Sequence, residues 1–191
     1  KNLGKEIFYF DKRIKKKLPK ISSIKTMNWK ELDLIFLSLP NGEAQKLIKK
    51  KFSIIKKLKI IDLSADFRLS NKKDFLKFYK TKHLAPELLK FSKYSLTEFV
   101  KNDIQKYKII ACPGCYPTSI QLPLIPLFKK NLLNTKGIII DSKSGYSGAG
   151  KNLKKKFTHK NIFSAIKTYG ISNHRHTAEI DQEFKKSTKS K

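Results

Sequence analysis

The segment "KIIACPGCYPTSI" (residues 108–120) leads from an apolar run, through a Pro-Gly turn, into a sequence that suits a helix. Short apolar runs bounded by turn residues are typical of strands that are buried in a parallel sheet, so a strand is predicted over residues 107–114. Proline is well tolerated in the first turn of a helix, because its missing N–H has no partner there anyway. Pro117 therefore predicts a helix that begins at Cys115 or Tyr116.

Three other apolar runs have the same character as this strand. They cover residues 32–40, 58–67 and 136–145, and helix-forming residues follow the first of them at 42–52. Strands that alternate with helical segments indicate βαβ units and a mostly parallel sheet. Right-handed crossovers then favour an α/β protein with a doubly wound sheet, whose chemistry lies at the carboxyl ends of the strands. Residues 69–99 are expected to form irregular helical and loop structure.

The composition suits a packed domain in a reducing compartment. The chain has 191 residues, of which 39% are hydrophobic and 11% aromatic. No apolar run approaches the roughly 18–20 residues that span a bilayer, and no secretory signal opens the chain. Two cysteines do not make a disulfide framework, so a cytoplasmic protein is expected. Because the chain starts at Lys1 and stops without a closing element, both ends of a longer protein are expected to be missing.

The net charge of +28 raises the alternative of a basic nucleic-acid-binding protein. Only three of the 43 basic residues are arginine, although nucleic-acid surfaces favour arginine for bidentate contacts. Lysine is instead spread over every polar stretch, which is typical of solvated faces, and nucleic-acid binding is therefore not the favoured interpretation. Two of the arginines, Arg68 in "SADFRL" and Arg175 in "NHRHTAEI", stand where a guanidinium is predicted to be needed.

The two cysteines, Cys112 and Cys115, form a Cys-x-x-Cys frame with several possible uses. A thiol at the start of a helix faces unpaired N–H groups and the positive end of the helix dipole, which favour the reactive thiolate. Cys115 therefore suits covalent acyl catalysis. A redox dithiol, half of a zinc site and two inert buried cysteines remain open for this segment. Two later prolines, Pro123 and Pro126, predict that the helix is kinked or ends early.

A second set of reactive residues lies in "SNHRHTAEIDQEF" (172–184). His174 and His176 can exchange protons near neutral pH. Arg175, between them, can bind a carboxylate or phosphate bidentately, and Glu179 can orient an imidazole. Zinc would also need ligands of this kind, but His-x-His is not a typical ligand spacing, and no metal is expected.

A third candidate is the glycine-rich stretch "DSKSGYSGAGK" (141–151). Such loops expose their backbone to phosphates or to a cofactor ring. The spacing is not that of a Walker A loop, and the chain contains no glycine-rich dinucleotide fingerprint. A cofactor site in this chain would therefore depend on other strand ends and on this loop.

Six stretches together resemble the N-acetyl-gamma-glutamyl-phosphate reductases, which belong to the aspartate-semialdehyde dehydrogenase-like superfamily. In chain order these are "DLIFLSLPNGEAQKL", "IIDLSADFRL", "YSLTEF", "CPGCYPT", "SGYSGAGK" and "HRHTAEIDQEF". The resemblance implies an NADP-binding Rossmann-like domain over residues 1–114 that lacks its first βα unit. It also implies part of an α+β catalytic domain over residues 115–191. A homo-oligomer, dimer or tetramer, is expected for the intact protein.

The resemblance also implies a reaction. Cys115 attacks the acyl phosphate of N-acetyl-glutamyl 5-phosphate, phosphate leaves, and a thioester forms. NADPH then reduces the thioester, and N-acetyl-glutamate 5-semialdehyde is released. His174 or His176 is the implied acid/base, and the sequence does not choose between them. A sibling reductase that acts on aspartyl phosphate or on a carrier-linked aminoadipyl phosphate is the nearest alternative.

The other implied site residues follow from the same motifs. Those implied to position substrate, or in one case the imidazole, are Arg175, Glu179, Ser144, Tyr116 and Thr118. Those implied to contact the cofactor lie after strands and in the glycine-rich stretch, at Ser38, Leu39, Pro40, Ser64, Ser147, Gly148, Ala149 and Gly150. The chain departs from the family pattern at Ser95, where glycine is usual. It departs again at Cys112, where asparagine or a small residue is usual.

Overall fold

A four-stranded parallel sheet forms the centre of the protein in a computed structural model that describes residues 2–148 and 164–188. The strands are β1 (Leu34–Leu37), β2 (Lys59–Asp62), β3 (Ser92–Tyr94) and β4 (Ile109–Ala111). Their spatial order is β1-β2-β4-β3, and all three pairings are parallel. This confirms the predicted α/β class with a Rossmann-like parallel sheet.

The described helices connect and cover these strands. They are α1 (Glu43–Lys51), α2 (Lys72–Tyr79), α3 (Thr97–Val100), α4 (Cys115–Lys129) and α5 (Arg175–Thr188). Short 3₁₀ turns include Ile7–Tyr9, Pro86–Phe91 and Ile104–Lys106. Within the described residues, no helix is both long and apolar enough to cross a membrane.

The core lies where β1, β2 and β4 meet α1. Its fully buried members include Ile48 of α1, Ile60 of β2 and Ile109 of β4. Each of these residues is branched at the β-carbon and fits the pleated surface of a central strand or the helix packed on it. The apolar run of β4 therefore corresponds to a strand buried along its whole length, whereas Phe36 of β1 is 61% exposed.

The prediction of a fourth strand over residues 136–145 is wrong. These residues have no strand assignment, and Ile139 is 95% exposed. An apolar run becomes a strand only when a neighbouring strand pairs with it, and the described residues provide no such neighbour here. Conversely, β3 was not predicted, because "SKY" is short and polar; it exists through its pairing with β4, in which Tyr94 aligns with Ala111.

The helix that begins at Cys115 does so as predicted, but it does not end early. It continues through Pro123 and Pro126 to Lys129. Its partner is α5, which packs along it: the Phe128 and Phe184 rings are 4.8 Å apart. Tertiary packing of this kind supplies most of the stability of helices in proteins and here offsets the backbone hydrogen bonds that the prolines remove.

Parallel pairing brings the carboxyl ends of the strands to one edge of the sheet. Leu63 N donates to Leu37 O (2.8 Å), and Cys112 N donates to Asp62 O (2.8 Å). Ser95 N donates to Ala111 O (2.9 Å). The residues that follow β1, β2, β3 and β4 therefore lie side by side, and α4 begins at this same edge.

Candidate active site

Cys115 is the first residue of α4, and its side chain is exposed. Gly114 caps the helix in an extended conformation. Thr118 N donates to Gly114 O (3.0 Å), and Pro117 has no N–H. In the described structure the backbone N–H groups of Cys115 and Tyr116 have no acceptor. Two free donors and the positive end of the helix dipole therefore lie at the thiol.

The His176 ring lies directly against Gly114. A β-carbon added to Gly114 would be only 2.4 Å from His176 Nε2, so this close approach requires glycine. Burial, followed by the charges of His174, Arg68 and Arg175, lowers the pKa of His176 to about 4. The imidazole is therefore neutral near pH 7. Its Nδ1 is buried and has no hydrogen-bond partner among the described residues.

His174 packs edge-on against His176, with ring centroids 4.8 Å apart. Its Nδ1 accepts a hydrogen bond from His176 N (3.2 Å), which places the proton of the neutral ring on Nε2. Burial and, after it, the charge of Arg175 lower the pKa of His174. Both histidines of the His-Arg-His motif are thus neutral bases near pH 7.

Two tyrosines complete this end of the molecule. The Tyr116 ring centroid is 5.6 Å from that of His174 and 5.9 Å from that of His176. Tyr169 lies 5.3 Å from His174. Burial, followed by Tyr116 and Cys115, raises the pKa of Tyr169 to about 12. Because Tyr116 directly follows Cys115, these contacts bring the thiol and both imidazoles to the same place.

Glu179 is fully buried, and both of its oxygens accept hydrogen bonds from the protein. Oε1 accepts from Arg68 Nη1 (3.0 Å) and lies 3.9 Å from His176 Nε2. Oε2 accepts from Gly114 N (3.0 Å) and from Tyr94 Oη (3.2 Å). Burial raises the pKa of this carboxyl, whereas Arg68, Gly114 and Tyr94 lower it. Of the two roles expected for Glu179, the structure places it beside the imidazole and gives a substrate no access to it.

The other residues implied for substrate contact lie in different settings. Arg175 is exposed, and its guanidinium carbon lies 5.5 Å from the centre of the Tyr79 ring. Thr118 Oγ1 donates to Gly114 O (2.8 Å), so its proton is used within the helix. Ser144 is exposed and donates to Gly145 O (3.3 Å).

The glycine-rich stretch adjoins α4 through one contact, in which the hydroxyl oxygens of Ser119 and Ser142 are 3.2 Å apart. Ser147 and Gly148 are exposed, and a β-carbon at Gly148 would lie 2.7 Å from Ser144 Oγ. Ala149 and Gly150 lie outside the described residues.

The remaining residues implied for cofactor contact lie at the ends of β1 and β2. The three that follow β1 are at the surface or half-buried: Ser38, Leu39 and Pro40. Ser64 is 7% exposed, and its Oγ accepts from Asp66 N (3.1 Å). The Asp66 carboxylate accepts from Gly42 N (2.7 Å) and Gln45 N (3.1 Å) and thereby occupies the N-terminus of α1. A phosphate therefore has no access to that helix end.

Cys112 differs from Cys115 in its surroundings. It is half-buried, and burial followed by the nearby Asp62 charge raises the pKa of its thiol. The described residues contain no group of three or more His, Cys, Asp or Glu side chains that could hold a metal ion. Of the two thiols, Cys115 is therefore the more accessible.

Sequence reasoning missed the residues that surround the Glu179 carboxylate. Arg68 stood out in the sequence as one of the few arginines. Nothing in the sequence indicated that its partner is Glu179, 111 positions away. Tyr94 opens the "YSLTEF" stretch, but the motif did not indicate its contact with Glu179, and Gln121 carried no signal. Gln121 Nε2 donates to Glu179 O (3.0 Å) from the middle of α4.

Comparison with known proteins gives matches along the whole chain. Residues 4–111 match the family model described as "Semialdehyde dehydrogenase, NAD binding domain". Residues 115–191 match that described as "Semialdehyde dehydrogenase, dimerisation domain".

Curated relatives come from plants and bacteria. A "Probable N-acetyl-gamma-glutamyl-phosphate reductase, chloroplastic" of Oryza sativa is 43% identical over 182 residues, which are 95% of this chain and 43% of the relative. A protein of the same name in Arabidopsis thaliana is 46% identical over 87% of this chain and 41% of its own length. An "N-acetyl-gamma-glutamyl-phosphate reductase" of Ehrlichia canis is 44% identical over 86% of this chain and 46% of its own length. The chain thus spans less than half the length of these relatives.

Proposed function

Because the chain belongs to the semialdehyde dehydrogenase family, we propose that it acts as an NADPH-dependent N-acetyl-gamma-glutamyl-phosphate reductase. The observation that carries this proposal is the position of Cys115 at the N-terminus of α4, with His176 against the preceding glycine. The names of the relatives support the substrate class. The matched ranges 4–111 and 115–191 support a division into a nucleotide-binding and a catalytic domain near residue 114.

The first step uses the residues around Cys115. The thiolate sulfur attacks the carbonyl carbon of the acyl phosphate, the bond from carbon to the phosphate oxygen breaks, and inorganic phosphate leaves behind a thioester. The free N–H groups of Cys115 and Tyr116 are suited to stabilise the negative oxygen of the tetrahedral intermediate. The neutral imidazole of His176 accepts the thiol proton as the sulfur attacks.

We favour His176 over His174 as the acid/base. Its ring touches Gly114, adjacent to Cys115, and Glu179 lies 3.9 Å from its Nε2. The ring nitrogen nearest the Cys115 turn is Nε2, since Nδ1 is buried. The His174 ring packs against the His176 ring, and its own Nδ1 already accepts a hydrogen bond from His176 N.

The fit of NADPH rests on two surfaces. Ser38 and Pro40 are exposed at the carboxyl edge of a parallel sheet, where nucleotides bind in this class of fold. Ser147 and Gly148 are exposed in the glycine-rich stretch, which forms the second surface. When bound, NADPH supplies the hydride that reduces the thioester carbonyl. Collapse of the resulting thiohemiacetal breaks the carbon–sulfur bond, releases the semialdehyde and restores the Cys115 thiolate.

Arg175 is the proposed anchor for an anionic group of the substrate. It is exposed beside the two histidines, and stacking on Tyr79 holds its guanidinium in a fixed plane. The match to a dimerisation domain supports a homo-oligomer, which we propose to be a dimer or tetramer. A free thiol at Cys115 requires a reducing compartment.

The proposal is tested by replacing each cysteine in turn. Cys115→Ser is expected to lower phosphate-dependent reduction of NADP by N-acetyl-glutamate semialdehyde by a factor on the order of a thousand or more. Cys112→Ser is the matched control, and its activity is expected to stay close to that of the unsubstituted protein. Retained activity in Cys115→Ser would contradict the proposal. Faster turnover of aspartate semialdehyde would instead identify the sibling reductase.

A further inference from the structure

Arg68 is an almost buried arginine at the site edge of the sheet. It follows β2, and 10% of its side chain is exposed. Nη1 donates to Glu179 Oε1 (3.0 Å), and Nη2 makes a longer bond to Leu63 O (3.4 Å). Its partner Glu179 is far away in the sequence, and the Glu179 side chain is completely buried. Each charge of such a deeply buried ion pair needs the other, because either charge alone would be strongly unfavourable there.

Arg68 is the main cation at the Glu179 carboxylate. The other groups that face the carboxylate include neutral donors from β3 and the α4 cap, Tyr94 and Gly114. His176 Nε2 of α5 lies 3.9 Å from Oε1, and Tyr79 of α2 interacts electrostatically with the carboxylate. Nearby, Gln121 of α4 donates to the Glu179 backbone oxygen, and the charges of Arg175 and Glu183 act on Tyr79 and Tyr94. Within the described residues, only Arg68 and His176 come within ion-pair distance, and the His176 imidazole is neutral near pH 7.

The Glu179 carboxylate in turn holds the start of α4. Oε2 accepts the Gly114 N–H, which fixes the turn immediately before Cys115. The ring of His176 then packs on that fixed glycine. A chain of contacts therefore leads from Arg68, through Glu179, to the two groups that flank the thiol.

We propose that Arg68 is a positioning residue for the Cys115 site, because it keeps the buried Glu179 ionised and the ionised carboxylate fixes both the Gly114 turn and the His176 ring. This inference rests on the proposed function in taking Cys115 as the reactive thiol. It concerns the same site, but its test is separate from reductase activity.

Removal of the Arg68 charge has a defined consequence. Without a cation, a fully buried carboxyl with only neutral donors favours its protonated form. The pKa of Glu179 is then expected to rise further, because Arg68 no longer opposes the effect of burial. Each time it takes up a proton, its hydrogen bond to Gly114 loses its charge-assisted strength.

The experiment measures alkylation of Cys115 by iodoacetamide as a function of pH. All variants carry Cys112→Ser, so that Cys115 is the remaining cysteine of the chain. With Arg68 present, the rate is expected to follow a single ionisation. Arg68→Met is expected to add a second ionisation, that of Glu179. It is also expected to slow alkylation at pH 7 about tenfold, because the turn before Cys115 loses a charge-assisted hydrogen bond.

Two further variants identify the source of that second ionisation. Arg68→Lys restores a cation and is expected to restore the single-step curve. Arg68→Met with Glu179→Gln removes both charges and is expected to give slow alkylation, again with one step. Arg13→Met is the matched control, because Arg13 is an exposed arginine paired with Asp11, and it should leave the curve unchanged.

The proposal would be overturned if Arg68→Met folds and its alkylation rate depends on pH in the same single step as in the protein with Arg68 intact. If Arg68→Met does not fold, the double variant decides, since a pair of charges removed together is tolerated far better than one. An unchanged rate in the folded double variant would also overturn the proposal. If Cys115 reacts no faster than free cysteine in the protein with Arg68 intact, the proposed nucleophile fails, while the comparison of pH curves still tests Arg68.

Discussion

The ring of His176 fills the space that a side chain at Gly114 would need. The glycine has a φ of −71°, which any residue adopts, so its requirement is steric and not conformational. Such a position is conformationally ordinary, but even one methyl group there would overlap the ring and displace it. The pairing of a glycine with an imidazole thus determines how closely a base approaches the Cys115 turn.

His176 is expected to make stability depend on pH. Its pKa in the folded protein is about 4, below the value of about 6.5 in an unfolded chain. Between these values the unfolded state binds more protons, so stability is full above about pH 6.5 and falls as the pH drops towards 4. We expect a loss of about 1–2 kcal/mol in the free energy of unfolding between pH 7 and pH 5 from this residue.

The measurement is urea unfolding at pH 5 and pH 7, with His176→Asn as the matched variant. Burial raises the pKa of Glu179, which acts in the opposite direction at lower pH. The difference between the two proteins isolates the histidine, since Glu179 is present in both. An equal pH dependence in His176→Asn would contradict the expectation.

At the scale of elements, α5 is attached to the segment that follows β2 through one face. Gln182 Oε1 accepts from Ser70 N (2.8 Å) and Ser70 Oγ (2.9 Å), and Gln182 Nε2 donates to Arg68 O (3.1 Å). Ala178 packs into the small cluster around Leu69. The helix that carries His176 is therefore held by the part of the chain that matches the NAD binding domain.

We expect Gln182→Ala to lower the free energy of unfolding by about 1–3 kcal/mol, because it leaves the Arg68 carbonyl and the Ser70 N–H without their partner. Asp181→Asn, an exposed change one residue away, is the control and should alter stability by less than about 0.5 kcal/mol. Equal unfolding midpoints in urea for the two variants would argue against this attachment.

The elements differ in how well the sequence predicts them, for a physical reason. The strands β1, β2 and β4 and the start of α4 follow from local apolar runs and proline placement. β3 depends on its pairing with β4, and the run at 136–145 fails as a strand because no described strand pairs with it. The site divides in the same way. Cys115, His176 and Glu179 belong to short motifs, whereas the contacts from Arg68 and Tyr94 to Glu179 exist only after folding.

At the scale of the whole molecule, the surface charge is diffuse. The arginines are not arranged for base recognition: Arg68 is buried, and Arg13 Nη2 is 2.7 Å from Asp11 Oδ2. Arg175 lies over Tyr79 at the candidate active site. The positive field of this protein therefore comes from lysines on solvated faces, whose attraction to polyanions is long-range and easily screened.

This charge distribution predicts weak, sequence-independent attraction to nucleic acid at low salt only. Fluorescence anisotropy with a labelled single strand and a labelled duplex should show binding at 20 mM NaCl. The affinity should fall on the order of a thousandfold or more by 200 mM, because each released counterion adds to the salt dependence. Two oligonucleotides of different sequence are the control, and their affinities should agree within about twofold. Binding that persists at 200 mM NaCl, or that separates the sequences by tenfold, would mean that the net charge of +28 serves a nucleic-acid partner.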